Sequence, residues 1–271
     1  FQEMPSTTTN TVRLSIIQAD EYGPWTTTPA PRRETDLQAL QARLYADFAD
    51  FVGHSDGYAF YSRFDNMVGV ANQIAPEEYE RFQERVRNRY PITVSIGVGD
   101  GPTPLAAVES ATEQLQAAGS AQDPNRQEAL RADDALDPEN AHLTVGHFDI
   151  VDVTGSITDE ESVVDAHTTI QRSVMDLKKH LLAEYESVAH FVGGDNVIAI
   201  CPPMRTEAFE SIVEHLRAET GIQYQVGIGT GATAHEAGHQ AKHALEECRE
   251  TGTRVVGHGT ADGHRRRVED A

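Results

Sequence analysis

The chain has 271 residues, enough for about two ordinary domains, each able to bury its own core. Its 43 acidic residues against 22 basic ones leave a formal charge of −21, the wrong sign for holding phosphate backbones, which excludes a generic nucleic-acid binder. Two cysteines, Cys201 and Cys248, separated by a whole helix and strand, supply neither a disulfide framework nor a three-cysteine zinc centre, and no apolar run reaches the roughly 18 residues of a membrane span.

In chain order, "FQEMPSTTTNT" lacks the basic and apolar character of a signal and reads as a flexible tail over 1–11. "VRLSIIQADEYG" reads as a strand closed by the acids Asp20 and Glu21. The basic loop "TPAPRRETD" sets Arg32 and Arg33 ahead of a long helix, and "GYAFYSRFDNMVGVAN" is a hairpin with Arg63, Asp65 and Asn66 at its turn. A helix, the strand in "ITVSIGVGDG" and the amphipathic "PLAAVESATEQ" follow, and 120–139 reads as a linker. The second half opens on the strand "LTVGHFDI", which carries His147, Asp149 and Ile150. In "DVTGSITD", Thr158 and Asp159 can cap the start of a helix over 159–187. "AHFVGGDNVIAICPP" reads as strands 190–192 and 197–201 about Gly193, Gly194, Asp195 and Asn196, a turn set that tolerates positive φ. A helix over 205–220, the strand in "YQVGIGTG" and a last helix complete the half, with a second tail over 258–271.

The two halves repeat one pattern of strand, long helix, hairpin, helix, strand and helix. Asp20 to Asp65 spans 45 residues and Asp149 to Asp195 spans 46, while Asp65 to Gly97 and Asp195 to Gly227 both span 32. Unrelated turns have no reason to keep that register, so the chain is a tandem duplication with an offset of about 130 residues. The domains are expected at 1–139 and 140–271. The order β-α-β-β-α-β predicts an α+β fold of two ferredoxin-like domains, each an antiparallel sheet with helices on one face.

In that plan the first strand pairs with the strand after the hairpin, which brings Asp149 beside Asp195. Two adjacent carboxylates repel unless a proton or a cation lies between them, and a hard divalent ion is the natural partner. Magnesium uses one or two carboxylates and keeps sites for water and phosphate. The Ile150 carbonyl can complete the set, and the amides of Thr154, Gly155 and Ser156, leading into a helix, suit phosphate.

Only three of the basic residues are lysines (Lys178, Lys179 and Lys242), and acids are spread over most of the helices. Such a surface suits concentrated salt and a cytoplasmic protein, because screening removes its self-repulsion. The melting temperature should therefore climb between 0.01 M and 1 M salt, as the Debye length shrinks from about 30 Å to about 3 Å. A flat melting temperature over that range would refute salt adaptation.

"HFDIVDVTG", followed after about 45 residues by "GGDN", resembles the palm domains of nucleotidyl cyclases and GGDEF diguanylate cyclases. With "YGPWTTTPAPRRETDLQALQARLY", "FYSRFDN", "RNRYPITVS" and "GSAQDPNR", the tandem arrangement from Val12 to Val256 is similar to archaeal GTP cyclohydrolase III. That resemblance implies an enzyme that opens the imidazole ring of GTP, keeps the formyl group and removes two phosphates, an early step towards riboflavin and deazaflavin cofactors. It implies Mg²⁺, two or more ions, with room for a monovalent cation such as K⁺, and a homo-oligomer, dimer or tetramer. By position, Asp149, Ile150 and Asp195 are implied metal ligands, with Asp20 a further one from the first half. Thr154, Gly155, Ser156, Gly193, Gly194 and Asn196 are implied to border the nucleotide. Arg63, Asn66, Arg32 and Arg33 are expected to contact it from the first half if the halves share one substrate. Asp65 and His147, with His190 a further candidate, are the expected acid–base groups. Glu21 and Asp152 are extra acids that leave open whether both halves bind metal.

"HEAGHQAKH", residues 235–243, has the H-E-x-x-H spacing of zinc proteases. The 130-residue offset sets its histidines on Leu105, Glu109 and Glu113 of an ordinary amphipathic helix, so a solvated face is expected instead. A nucleotidyl cyclase and a GTP-sensing module that turns nothing over are the alternative functions.

Overall fold

The computed structural model describes residues 11–132 and 141–258. The expected tails, apart from Thr11 and His258, and the linker residues 133–140 lie outside the described residues. Two compact units divide between His142 and Leu143. Among the described residues no helix is long and apolar enough to cross a membrane.

The first unit contains β1 (Val12–Ala19), α1 (Tyr22–Thr27), α2 (Glu34–Gly53), β2 (Tyr58–Arg63), β3 (Asn66–Val70), α3 (Pro76–Arg89), β4 (Val94–Gly101), α4 (Pro104–Ala117) and β5 (Leu130–Arg131). The second contains β6 (Leu143–Ile150), a π-helical turn (Thr154–Thr158), α5 (Val163–Tyr185), β7 (Val188–Gly193), β8 (Asn196–Cys201), α6 (Thr206–Thr220), β9 (Tyr224–Gly231), α7 (Ala234–Thr251) and β10 (Val255–Gly257). The sheets run β2-β3-β1-β4-β5 and β10-β9-β6-β8-β7. Each has the ferredoxin-like order in four antiparallel strands, with β2 or β7 at one edge, and one short strand that adds in parallel at the other edge.

Strand alternation assigns the two faces of the second sheet. Phe148, Ile150, Val226 and Ile228 pack with Ile170, Leu177 and Leu181 of α5 and Phe209, Ile212 and Leu216 of α6. The other face is not bare, as a strict one-sided plan would leave it: α7 lies on it. Gly227 and Gly229 let this helix approach so closely that a Cβ at either position would collide with the Ala241 or Ala237 carbonyl. Gly97 and Gly99 play the same part beneath Ala111 and Ala107 of α4. The last helix of each repeat, which the β-α-β-β-α-β order leaves unassigned, therefore covers the opposite face.

Two boundaries differ from expectation. Helix α5 begins at Val163 rather than near 159, because the Ser162 hydroxyl is the group that accepts from a free amide, that of Asp165, at 3.2 Å. Residues 154–158 instead form the π-helical turn, closed by the Asp159 amide on the Thr154 carbonyl at 2.9 Å. Residues 120–132 are no free linker either: Arg126 is buried, and β5 extends the first sheet by pairing with β4.

Candidate functional site

Strand β6 carries its outer-face residues His147 and Asp149 toward α7, since His147 lies opposite Gly227 in the ladder. Asp149 is at the strand's end and only 6% exposed. Beside it, β7 and β8 are joined by a turn in which Gly193 and Gly194 have φ of 113° and 64°, values that a side chain disfavours. That turn delivers Asp195 to Asp149. The Asp195 carboxyl is raised above its ordinary value first by burial and then by the Asp149 charge.

The neighbours hold this pair in place. Asn196 Nδ2 donates to Asp195 Oδ1 at 3.1 Å, and His147 Nε2 donates to Asn196 Oδ1 at 2.9 Å. Burial holds the His147 imidazole below its ordinary value, outweighing the opposing pull of Asn196 and Asp149, so it is neutral at neutral pH. From α7, Arg249 Nη2 meets Asp149 Oδ2 at 2.9 Å while its Nη1 meets Glu246 at 2.7 Å. An open cavity of about 420 Å³ lies against these groups, bordered by His147, Gly193, Asn196, Lys242, Glu246 and Arg249.

The Thr154–Thr158 turn is exposed. Its Gly155 amide donates to Asp152 Oδ1 at 3.3 Å and the Ser156 hydroxyl donates to the Asp152 carbonyl at 2.6 Å. The extra acid Asp152, itself at φ 52°, thus occupies an amide that the sequence offers to phosphate. Ile150 ends β6 and is buried.

The equivalent position in the first unit is filled by protein. Asp20 accepts from Arg126 Nη2 at 2.9 Å, Ser95 at 2.7 Å, Thr93 at 2.9 Å and the Glu128 amide at 3.0 Å. Asp20 and Arg126 side chains are each 2% exposed. Asp20, expected as a metal ligand, already has a guanidinium as its compensating cation and accepts from three further protein donors.

In the β2–β3 turn, the largely exposed Arg63 meets Asp65 at 3.3 Å and donates from Nη2 and Nε to the Asn66 side-chain amide oxygen at 2.6 and 3.0 Å. Arg32 stacks 4.0 Å over the Trp25 ring and donates to the Trp25 carbonyl, whereas Arg33 is exposed beside Thr35 and Asp36. His190 is buried within β7. The structure thus sets His147, Gly193 and Asn196 on the wall of one cavity, with Asp149 and Asp195 behind that wall through their bonds to Arg249 and Asn196, and places Arg32, Arg33, Arg63, Asp65 and Asn66 in the other unit. Sequence reasoning missed Lys242, Glu246 and Arg249. Their signal was present: Lys242 and Arg249 are seven residues apart on one helix face, in a chain poor in basic residues.

The donor set suits magnesium. All its charged donors are oxygens, and the Cys201 and Cys248 thiols are buried and pushed up to about 12 and about 11, so neither offers a thiolate. Among the described residues no group of three or more His, Cys, Asp or Glu converges on a point. An ion here would find two carboxylates and the oxygen chemistry that magnesium prefers. His235, His239 and His243 stand exposed along α7, as the repeat register predicted.

A pH dependence follows from Asp195. Its raised carboxyl favours the protonated folded state, so the Asp195 contribution to metal-free stability is fully present below the ordinary value of 3.8 and is lost as pH rises through the raised one. Mg²⁺ needs the ionised form, so its affinity should strengthen over the same range and its addition should cancel the loss. Melting curves with and without Mg²⁺ across pH test this, and Asp195→Asn should flatten both trends.

A family model described as GTP cyclohydrolase III matches residues 14–261. GTP cyclohydrolase III 2 of Halobacterium salinarum is 54% identical over 246 residues, 90% of this chain and 97% of the relative. GTP cyclohydrolase III of Methanococcus vannielii is 41% identical over 239 residues, 88% of this chain and 89% of the relative. Among solved structures, the active GGEEF domain of a diguanylate cyclase from Vibrio cholerae aligns with 45% of this chain and 86% of its own at 14% identity, with a TM-score of 0.37, too slight a likeness to bear on function.

Proposed function

Because the chain belongs to the GTP cyclohydrolase III family, we propose that it hydrolyses GTP to 2-amino-5-formylamino-6-(5-phosphoribosylamino)pyrimidin-4(3H)-one and two phosphates. The observation that carries the chemistry is the Asp149–Asp195 pair beside an open cavity with Lys242 and Arg249 on its wall. Three waters enter: one for each phosphoanhydride, and one across the N9–C8 bond of guanine, which leaves C8 as the formyl group on N7.

Asp149, Asp195 and the Ile150 carbonyl would hold Mg²⁺, in two or more ions, with K⁺ as a monovalent companion. Such ions, when bound, neutralise triphosphate charge and lower the pKa of bound water. The protein does the rest. Lys242 and Arg249 draw phosphate into the cavity, and Arg249 can exchange Asp149 for a phosphate oxygen because it is a bidentate donor on a half-exposed side chain. The Gly155 amide donates to a phosphate once that phosphate displaces the Asp152 carboxylate, with Thr154 and Ser156 beside it. Gly193 and Gly194 let backbone come close to substrate, and Asn196 fixes His147 in the Nε2–H form, leaving Nδ1 as a proton acceptor. Asp65, Arg63, Asn66, Arg32 and Arg33 belong to the same reading as nucleotide-contacting groups. A homo-oligomer, dimer or tetramer, and a cytoplasmic setting belong to the same reading.

Incubation with GTP and Mg²⁺ in high salt tests it. Loss of purine absorbance with two orthophosphates per GTP is expected. Cyclic nucleotide with pyrophosphate would show a nucleotidyl cyclase, and tight GTP binding without products would show a sensor. Arg63→Ala and Asp65→Ala should each lower turnover tenfold to a hundredfold, since a charged hydrogen bond to substrate is worth roughly 1.5 to 3 kcal/mol. Unchanged kinetic constants in folded protein would remove the first unit from the reaction.

A further inference from the structure

Helix α5 has two faces that bury or expose apolar side chains, and the fold uses one. Ala166, Ile170, Ser173, Val174, Leu177 and Leu181 turn into the core. On the far side, Val164, Thr168, Gln171, Met175, Lys178 and Leu182 recur at alternating steps of four and three, the spacing of a helix–helix seam. Val164 is 74% exposed, Met175 49% and Leu182 44%; with Val163 at 87%, α5 carries four of the six exposed large apolar side chains among the described residues. Scattered single exposures are ordinary, but a concentration on one helix marks an interaction surface.

Charge identifies the occupant. The chain carries −21, yet α5 balances Asp165, Asp176 and Glu184 with Arg172, Lys178 and Lys179, and so holds two of the three lysines. It is a place where two strongly acidic molecules of the same kind can approach without net local charge. Direction follows as well. A parallel pairing would set every charge of the helix against its own copy. An antiparallel pairing sets Val164 of one copy against Leu182 of the other, Gln171 against Met175 and Thr168 against Lys178; on the flank Asp165 lies across from Lys179 twice, against one Arg172–Arg172 pair at the two-fold axis.

We propose that the outer face of α5 is a two-fold interface at which a second copy of this chain lays its own α5 antiparallel across the first. The surface is self-complementary, as an isologous contact requires. The inference rests on exposure, spacing and charge, and it stands or falls separately from the GTP chemistry.

Light scattering on the full chain in high salt tests it: Met175→Glu should halve the molar mass. A second test uses cysteines. The Val164→Cys/Leu182→Cys double variant should form interchain disulfides under mild oxidation. Each single variant should remain uncrosslinked, because 18 residues of helix hold like positions about 27 Å apart in the antiparallel register. Cys201 and Cys248 are buried and do not compete. An unchanged mass in folded Met175→Glu, a wild-type mass of one chain, or a double variant that fails to crosslink would each overturn the interface. Should Met175→Glu fail to fold, the crosslink decides alone.

Discussion

Asp149→Asn and Asp195→Asn should each abolish Mg²⁺-dependent GTP turnover, by more than about a hundredfold, while the protein stays folded. Even groups that only support a metal ligand cost 10- to 100-fold when removed, so losing a ligand itself must cost more. The fold survives for a specific reason: without metal the two carboxyls repel, and Asp195 is already displaced towards its protonated form by burial and by Asp149. Neutralising Asp195 therefore relieves a penalty in the metal-free protein. Asp149→Asn keeps less in reserve, since it also gives up the ion pair with Arg249, but that arginine is 40% exposed on its side chain and returns to water. Steady-state kinetics over a Mg²⁺ titration, with melting curves on the same samples, check both. Near-normal turnover of either variant would misplace the site.

Arg126→Met should destabilise the first unit by about 3–5 kcal/mol, the usual cost of leaving one member of a buried ion pair without the other. Asp20 would keep Ser95, Thr93 and the Glu128 amide but lose its counter-charge where no water reaches. Denaturant unfolding should show a lower midpoint with the same slope. GTP turnover per folded molecule should persist, because Asp20 is engaged by protein donors and lies in the first unit, apart from the Asp149 and Asp195 pair of the second. If folded Arg126→Met instead loses its Mg²⁺ dependence, the first unit carries an ion after all.

The contrast between Asp20 and Asp149 shows what the sequence disclosed and what it withheld. Repeat spacing was enough to pair the strands, to bring Asp149 to Asp195, and to dismiss the histidines of α7, because register fixes neighbours wherever hydrogen-bonded ladders are continuous. It made Asp20 look equivalent to Asp149. The difference arises from Arg126, which stands 106 residues from Asp20 in a segment with no strand or helix pattern, so no period or spacing announces it. Arg249 and Lys242 were hidden differently: their face of α7 is decided by which side of the sheet the helix covers, and the glycines that decide it look like ordinary strand-weakening residues. Asp152 was visible as an extra acid, but its hold on the Gly155 amide depends on a left-handed φ that only the folded chain reveals.

Those glycines in β9 have a role that reaches beyond packing. Gly227 and Gly229 bring the axis of α7 down to the sheet backbone itself, and α7 carries Lys242, Glu246 and Arg249. The distance between the cationic wall and the carboxylate pair is thus calibrated by two residues that have no side chain and touch no substrate. Any methyl group added there acts as a shim, lifting the whole row of charged groups by one rigid displacement. The gauge of the cavity, and so the size of anion that fits beside Arg249 and Lys242, is written into the thinnest part of the strand.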